Sequence, residues 1–310
     1  MSANEIFEPP ASGSSEPTES GAASIDLPAI IAAKVPPPRF PAIHDAVLDI
    51  EHTWLGLTSP TFFDRAAAAR WQPDAAGSYC PRCGVSTGEY EALDPLDAGV
   101  GQAGCPQCRS EAIPWSRFAR LGEYEGLLRD AILEVKYTRW RRLGRDLGRV
   151  LGLQLLPLLA RAQINPADII LVPTPATLWR RLTRGIDHTL ALSRGVRDIT
   201  GGRIVHALSR RHRTPQSRLS RPQRAGNVSG SMVASRRGRG LSAFVASSTS
   251  AKAIILIDDI KTTGATLREA CRALASGFGA GGKQRVAECV WVATVAAAGL
   301  RDRTRGGTSE

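Results

Sequence analysis

Ile254-Ile255-Leu256-Ile257-Asp258-Asp259-Ile260-Lys261-Thr262-Thr263-Gly264-Ala265-Thr266 is the stretch whose reading decides the fold. Ala253 to Ile257 is continuously apolar and branched, as a parallel strand buried on both faces requires; a strand with one wet face would alternate. The two acids therefore stand at the C-terminal end of that strand, where ligands bind in open α/β sheets. Leu267, Ala270, Cys271 and Leu274 recur at helical spacing behind the loop, so Thr262 to Thr266 opens a helix. Backbone N–H groups and the helix dipole favour a phosphate there, and carboxylates accept hydrogen bonds from vicinal ribose hydroxyls. A sugar phosphate satisfies both halves of the motif. The plainer reading is a buried strand and a capped helix, with the Asp pair solvated at the turn.

Alternation continues on either side. Ile169-Ile170-Leu171-Val172 reads as a second buried strand ending in Pro173-Thr174-Pro175, followed by a loop with Arg180, Arg181, Arg184 and Gly185. Ile204 to Leu208 and Val286 to Val295 read as further strands, and Tyr124 to Leu159 carries an amphipathic helical pattern that Pro157 limits. Strands alternating with helices imply an α/β fold with a mostly parallel sheet flanked by helices.

Four of the six cysteines form two knuckles, Cys80-Pro-Arg-Cys83 and Cys105-Pro-Gln-Cys108, with 21 residues between them. In a reducing compartment such pairs read as metal ligands before disulfides, and four thiolates close a structural zinc site with no open position for substrate. A redox pair is the alternative. Cys271 and Cys289 read as small core hydrophobes.

At 310 residues the chain has room for about two domains. Residues 1–41, rich in Ser, Pro, Ala and Glu, are expected to be a disordered tail. Residues 42–75 then read as a helical segment, 76–118 as the zinc ribbon, 119–300 as the α/β domain and 301–310 as a flexible tail. No secretory pattern opens the chain and no apolar run reaches the roughly 18 residues of a membrane span, so a cytoplasmic protein without membrane insertion is expected. The net charge is +11, from 40 basic and 29 acidic residues. No acid occurs between Ile199 and Ile257, whereas Arg203, Arg210, Arg211, Arg213, Arg218, Arg221, Arg224, Arg236, Arg237 and Arg239 crowd the first two-thirds of that region, the last three reading as a solvated face. Such a field attracts a diphosphate or a nucleic acid.

The Asp-Asp-x-x-Thr-Thr-Gly-x-Thr segment resembles the phosphoribosyl-diphosphate signature of type I phosphoribosyltransferases. Together with the cysteine quartet, Ile132 to Tyr137, Val172-Pro173-Thr174-Pro175, Arg184-Gly185, Arg213 to Gln216, and Arg224 with Asn227, it resembles the ComF family, named for competence in DNA uptake. The resemblance runs from about Tyr79 to Val295 and implies a type I phosphoribosyltransferase fold behind an N-terminal zinc ribbon. It also implies Mg²⁺-dependent attack on ribose C1 as diphosphate leaves. By the same resemblance Asp258 and Asp259 hold the ribose hydroxyls, while Thr262, Thr263, Gly264, Ala265 and Thr266 bind the 5′-phosphate. The loop from Arg180 to Gly185, with Arg184, resembles the diphosphate loop, and Arg213 and Arg224 lie in the segment that closes over the site. The chain departs from the family's usual Arg-Gly-Phe-Asn-Gln, having Arg184-Gly185-Ile186-Asp187-His188.

His188, at a helix start, reads as structural or solvated ahead of a general base. Lys136 reads as a snorkelling surface residue outside the site. Trp54, Trp71 and Trp115 form no interleaved platform for single strands. Two function classes remain: an enzyme passing the phosphoribosyl group to an unidentified acceptor, and a non-catalytic sugar-diphosphate sensor in DNA uptake. The second would engage single-stranded DNA or the competence machinery. The sequence is also compatible with a homo-oligomer.

Overall fold

The computed structural model describes residues 26–35, 42, 46, 50, 61–87, 104–109, 111–137, 141–176, 187–210, 230–241 and 252–299. Its strands are β1 (Arg117–Glu123), β2 (Ile170–Pro173), β3 (Arg203–Ile204), β4 (Leu208–Arg210), β5 (Met232–Ala234), β6 (Ile254–Lys261) and β7 (Val290–Ala297). Five of them form one parallel sheet in the order β1-β7-β6-β2-β3, and β4 and β5 pair antiparallel beside it. The helices are α1 (Leu27–Lys34), α2 (Phe62–Ala68), α3 (Pro106–Arg109), α4 (Gly126–Tyr137), α5 (Arg141–Arg161), α6 (His188–Thr200), α7 (Arg236–Arg239), α8 (Ala265–Gly277) and α9 (Gly282–Cys289).

β6 is buried on both faces, as its apolar run requires. Ile255 and Ile257 enter a core with Leu147 and Leu151 of α5 and Leu192 and Val196 of α6. Ile254 and Leu256 enter a second core with Leu267, Ala270 and Leu274 of α8. Each fully buried aliphatic side chain contributes about 1.5–3 kcal/mol, so this strand anchors both layers. From β2 the chain proceeds outward to β3, and from β6 it proceeds outward the other way to β7. Crossovers of one hand then place α6 and α8 on opposite faces, and a crevice opens between the C-terminal ends of β2 and β6.

Several expectations are corrected. The tail assigned to residues 1–41 contains α1, capped by Asp26, whose carboxylate accepts from the Ala29 N–H at 3.1 Å. Its Leu27 and Ile31 reach the first core, so two apolar side chains one turn apart suffice to dock it. Pro157 does not end α5, which runs on to Arg161. The ring sits on the exposed side near the last turn, and Leu155, Leu158 and Leu159 hold the opposite side in the core. Val286 to Cys289 is helical, and the strand starts only at Val290. The strand expected over Ile204 to Leu208 divides into β3 and β4, which belong to different sheets. Finally, the boundary at 118/119 falls inside β1, and the cysteines share the second core with Ile254 and Leu256. Among the described residues, no helix is long and apolar enough to cross a membrane.

α5 and α6 meet backbone to backbone. A Cβ on Gly148 would stand 2.1 Å from the Leu192 carbonyl oxygen, and one on Gly195 would stand 2.0 Å from that of Arg145. Asp198 of α6 ties the pair by pairing with Arg145 at 2.5 Å and Arg149 at 3.3 Å. Gly195→Ala is therefore expected to force the helices apart and lower stability by about 1–3 kcal/mol, read as a reduced thermal midpoint. Ala at the exposed Gly201 site, where nothing lies within 4 Å but φ is +76°, should cost only the strain of that backbone.

Candidate functional site

Asp258 and Asp259 follow the last β6 residue paired with β2, on opposite faces of the sheet; the strand itself continues beside β7 to Lys261, two residues beyond the end expected from its apolar run. The Thr174 N–H donates to the Ile257 carbonyl at 3.0 Å, which sets Thr174 beside Asp258, and its hydroxyl hydrogen-bonds the Asp258 carboxyl. Asp258 is 7% exposed. Burial, and then the charge of Asp259 beside it, push its pKa up to about 8. Asp259 lies on the α4/α6 side, with Lys136 Nζ 2.5 Å and His188 Nε2 3.6 Å from its Oδ2. Burial alone would raise this carboxyl, but the Lys136 ammonium and the His188 imidazole outweigh it and hold Asp259 below the usual carboxylate range. The strand's own backbone fixes both side chains. Asp259 N–H donates to Asp258 Oδ1 at 2.9 Å, and Ile260 N–H donates to Asp259 Oδ1 at 2.8 Å. The two neighbouring carboxyls are thus shifted in opposite directions, Asp258 up by burial and Asp259 down by its cationic partners.

The loop from Thr262 follows at once. Gly264 takes the left-handed conformation, φ +76°, and opens α8 without a side-chain cap. Thr262 and Thr263 are exposed, whereas Ala265 and Thr266 are half-buried. The hydroxyl of Thr263 reaches only 3.4 Å from Ala265 N. First-turn amides of a 13-residue helix and two exposed hydroxyls therefore line the mouth of the crevice, next to the acids.

Across the second core, Cys80, Cys83, Cys105 and Cys108 are all buried, with their Sγ atoms within 4.8 Å of one another. Cys80 and Cys108 sulfurs are 3.7 Å apart, and those of Cys83 and Cys105 are 3.5 Å apart. Tetrahedral zinc with Zn–S bonds of about 2.3 Å needs sulfurs about 3.8 Å apart, so the cluster fits that ion. None of the six cysteines is in a disulfide. Hydrogen bonds with Cys108 and Cys83 hold the Cys80 thiol below its ordinary range, while the same network raises Cys83 and pushes Cys108 up to about 12. One divalent cation would remove that conflict by letting all four ionise. Cys271 is a buried core residue whose thiol burial pushes up, and Cys289 is half-buried and pushed up to about 11.

The structure brings Asp258, Asp259, Thr262, Thr263, Gly264, Ala265 and Thr266 to one crevice. Arg180, Arg181, Arg184, Gly185, Arg213 and Arg224 lie outside the described residues. Lys136 corrects the sequence reading: it is 16% exposed and ion-paired with Asp259 rather than lying on the surface. His188, buried at the start of α6 behind its Asp187 cap, joins the same cluster. The available signal was the placement of both residues at helix ends, Lys136 in the last turn of α4 and His188 in the first turn of α6; their convergence on Asp259 is a tertiary fact. No protein-family model matches the chain, and no curated protein matches it.

Metal analysis is expected to find one zinc per chain, lost in Cys80→Ser. A folded-state pKa near 8 for Asp258 lies above its unfolded value, so its contribution to stability is present at low pH and is lost as pH rises from about 4 through about 8. Asp258→Asn should therefore be more stable than the parent, with a gap in thermal midpoint that widens over this range and levels above it.

Proposed function

We propose that the crevice binds phosphoribosyl diphosphate and that the chain is a ComF-like protein with a type I phosphoribosyltransferase fold, transferring the phosphoribosyl group to an acceptor with release of diphosphate. The observation that carries this reading is the adjacency of two acids, one buried beside Thr174 and the other paired with Lys136, to an uncapped helix-opening loop at the sheet's switch point. Asp259, kept ionised by Lys136 and His188, accepts hydrogen bonds from ribose hydroxyls, and the Asp258 carboxyl beside it offers a second partner for them. The hydroxyls of Thr262, Thr263 and Thr266, with the amides opening α8, take the 5′-phosphate.

In this reading Lys136 has a second task. As positive charge develops on the ribose ring and negative charge on the leaving diphosphate, an ammonium paired to Asp259 sets how much of that carboxylate's charge faces the sugar. Arg180, Arg181 and Arg184 after β2, and Arg213 and Arg224 further on, are assigned to the diphosphate. The carboxyl oxygens of Asp258 and Asp259 and the hydroxyls of Thr262 and Thr263 are hard donors of the kind Mg²⁺ accepts. Asp258, Asp259, Thr262 and Thr263 would be the residues that hold the ion, directly or through its waters. Bound Mg²⁺ would supply charge neutralisation at those oxygens.

Calorimetry with phosphoribosyl diphosphate and Mg²⁺ tests the reading. Saturable binding is expected, and Asp258→Asn with Asp259→Asn should weaken it by about 10- to 100-fold, the effect of losing charge-assisted hydrogen bonds of about 1.5–3 kcal/mol. Absence of binding to the parent protein would reject the proposal. Diphosphate release in a screen of nucleobases and amines then separates an enzyme from a sensor that binds without turnover.

A further inference from the structure

Exposed at its tips, the loop Thr262 to Gly264 is held from behind by the cysteine-bearing segment. Three contacts run between them. The Trp115 ring, 2% exposed, places its Cη2 3.6 Å from where a Cβ on Gly264 would stand. That ring is fixed by its indole N–H, which donates to the Arg82 carbonyl at 2.8 Å, between Cys80 and Cys83. Arg268, in the first turn of α8, donates through Nη1 to the Thr263 carbonyl at 2.7 Å and through Nη2 to the Glu111 carboxylate. Glu111 is in turn placed by the second knuckle, its N–H donating to the Cys108 carbonyl at 3.2 Å. Lys261, directly before the loop, lies 5.7 Å over the Phe118 ring. Phe118 N–H donates to the Pro81 carbonyl at 2.6 Å, and its ring fills the space above Gly84, where a Cβ would come within 2.2 Å.

Each knuckle therefore reaches the loop by its own route, the first through Trp115 and Phe118 and the second through Glu111 and Arg268. A half-exposed ion pair alone contributes little. Here the guanidinium fork spans two groups, so releasing Glu111 frees the arm that holds the Thr263 carbonyl.

We infer that the metal knuckles position the anion-binding loop: Glu111 and Trp115 are positioning residues that act through Arg268 and Gly264, coupling metal occupancy at the four cysteines to phosphate binding at Thr262–Thr266. A coupling free energy between two sites is reciprocal, so phosphate ligand should in turn retard metal loss. The binding arm of the test rests on the proposed ligand. The loop geometry does not.

Amide hydrogen exchange in the full chain decides it. In Glu111→Gln, in Trp115→Phe and in the parent after metal chelation, exchange over residues 262–268 should rise about five- to tenfold, while Ile254–Ile257 stays unchanged. Both variants should keep one zinc per chain. Glu111→Gln should add no further loss in an Arg268→Gln background, because it acts through that guanidinium. Phosphoribosyl diphosphate with Mg²⁺ should bind about five- to tenfold more weakly to Glu111→Gln and should slow zinc transfer to a chromogenic chelator from the parent. Unchanged loop exchange in the two variants, or additive losses in the double variant, would overturn the coupling. If the parent binds no phosphoribosyl diphosphate, the proposed function fails and the exchange data still decide the coupling.

Discussion

Burial of β6 on both faces is the constraint on which the rest of the molecule depends. Ile254 to Ile257 divide alternately between two cores, so the strand must be central and helices must cover both sides of it. The apolar run ends where the pairing with β2 ends, at Ile257, and the next two residues are acids on the part of β6 that runs on beside β7 alone. They occupy the crevice because the chain leaves β2 and β6 in opposite directions, which prevents any crossover from covering the ends of those strands.

Two adjacent identical side chains acquire opposite characters there. Successive residues in a strand face opposite ways, so Asp258 turns toward Thr174 and Asp259 toward α4 and α6. One finds a hydroxyl and little water; the other finds an ammonium and an imidazole. The opposite direction of the two pKa shifts follows from the pleat rather than from anything in the dipeptide itself.

The cysteine segment extends the second core instead of forming a separate bead. Cys80, Val85, Trp115 and Phe118 pack with Ile254, Leu256 and Leu267, and the same layer carries α8 and its opening loop. A small module that cannot bury much surface by itself gains stability from a shared core, and its four cysteines could add a metal to that. Here it also becomes the back wall of the loop.

The apolar run at Ile254, the acids after it, the helical spacing from Leu267 and the paired Cys-x-x-Cys knuckles were legible because each is a local pattern whose period or spacing is itself the physical signal. From these the α/β class, the position of the acids in the C-terminal half of the central strand and the four-sulfur cluster follow, whereas the strand's continuation to Lys261 does not. Boundaries such as Val286–Cys289, and the passage of α5 through Pro157, were not legible. Short apolar segments suit helix or strand alike, and a proline on the solvent side of a helix need not end it when the opposite side stays packed in the core. Nor could any local pattern join Lys136 and His188 to Asp259, or Glu111 and Trp115 to the loop at Thr263. These contacts span 71 to 157 positions along the chain and exist only because the sheet gathers distant helix ends and the cysteine segment at one edge.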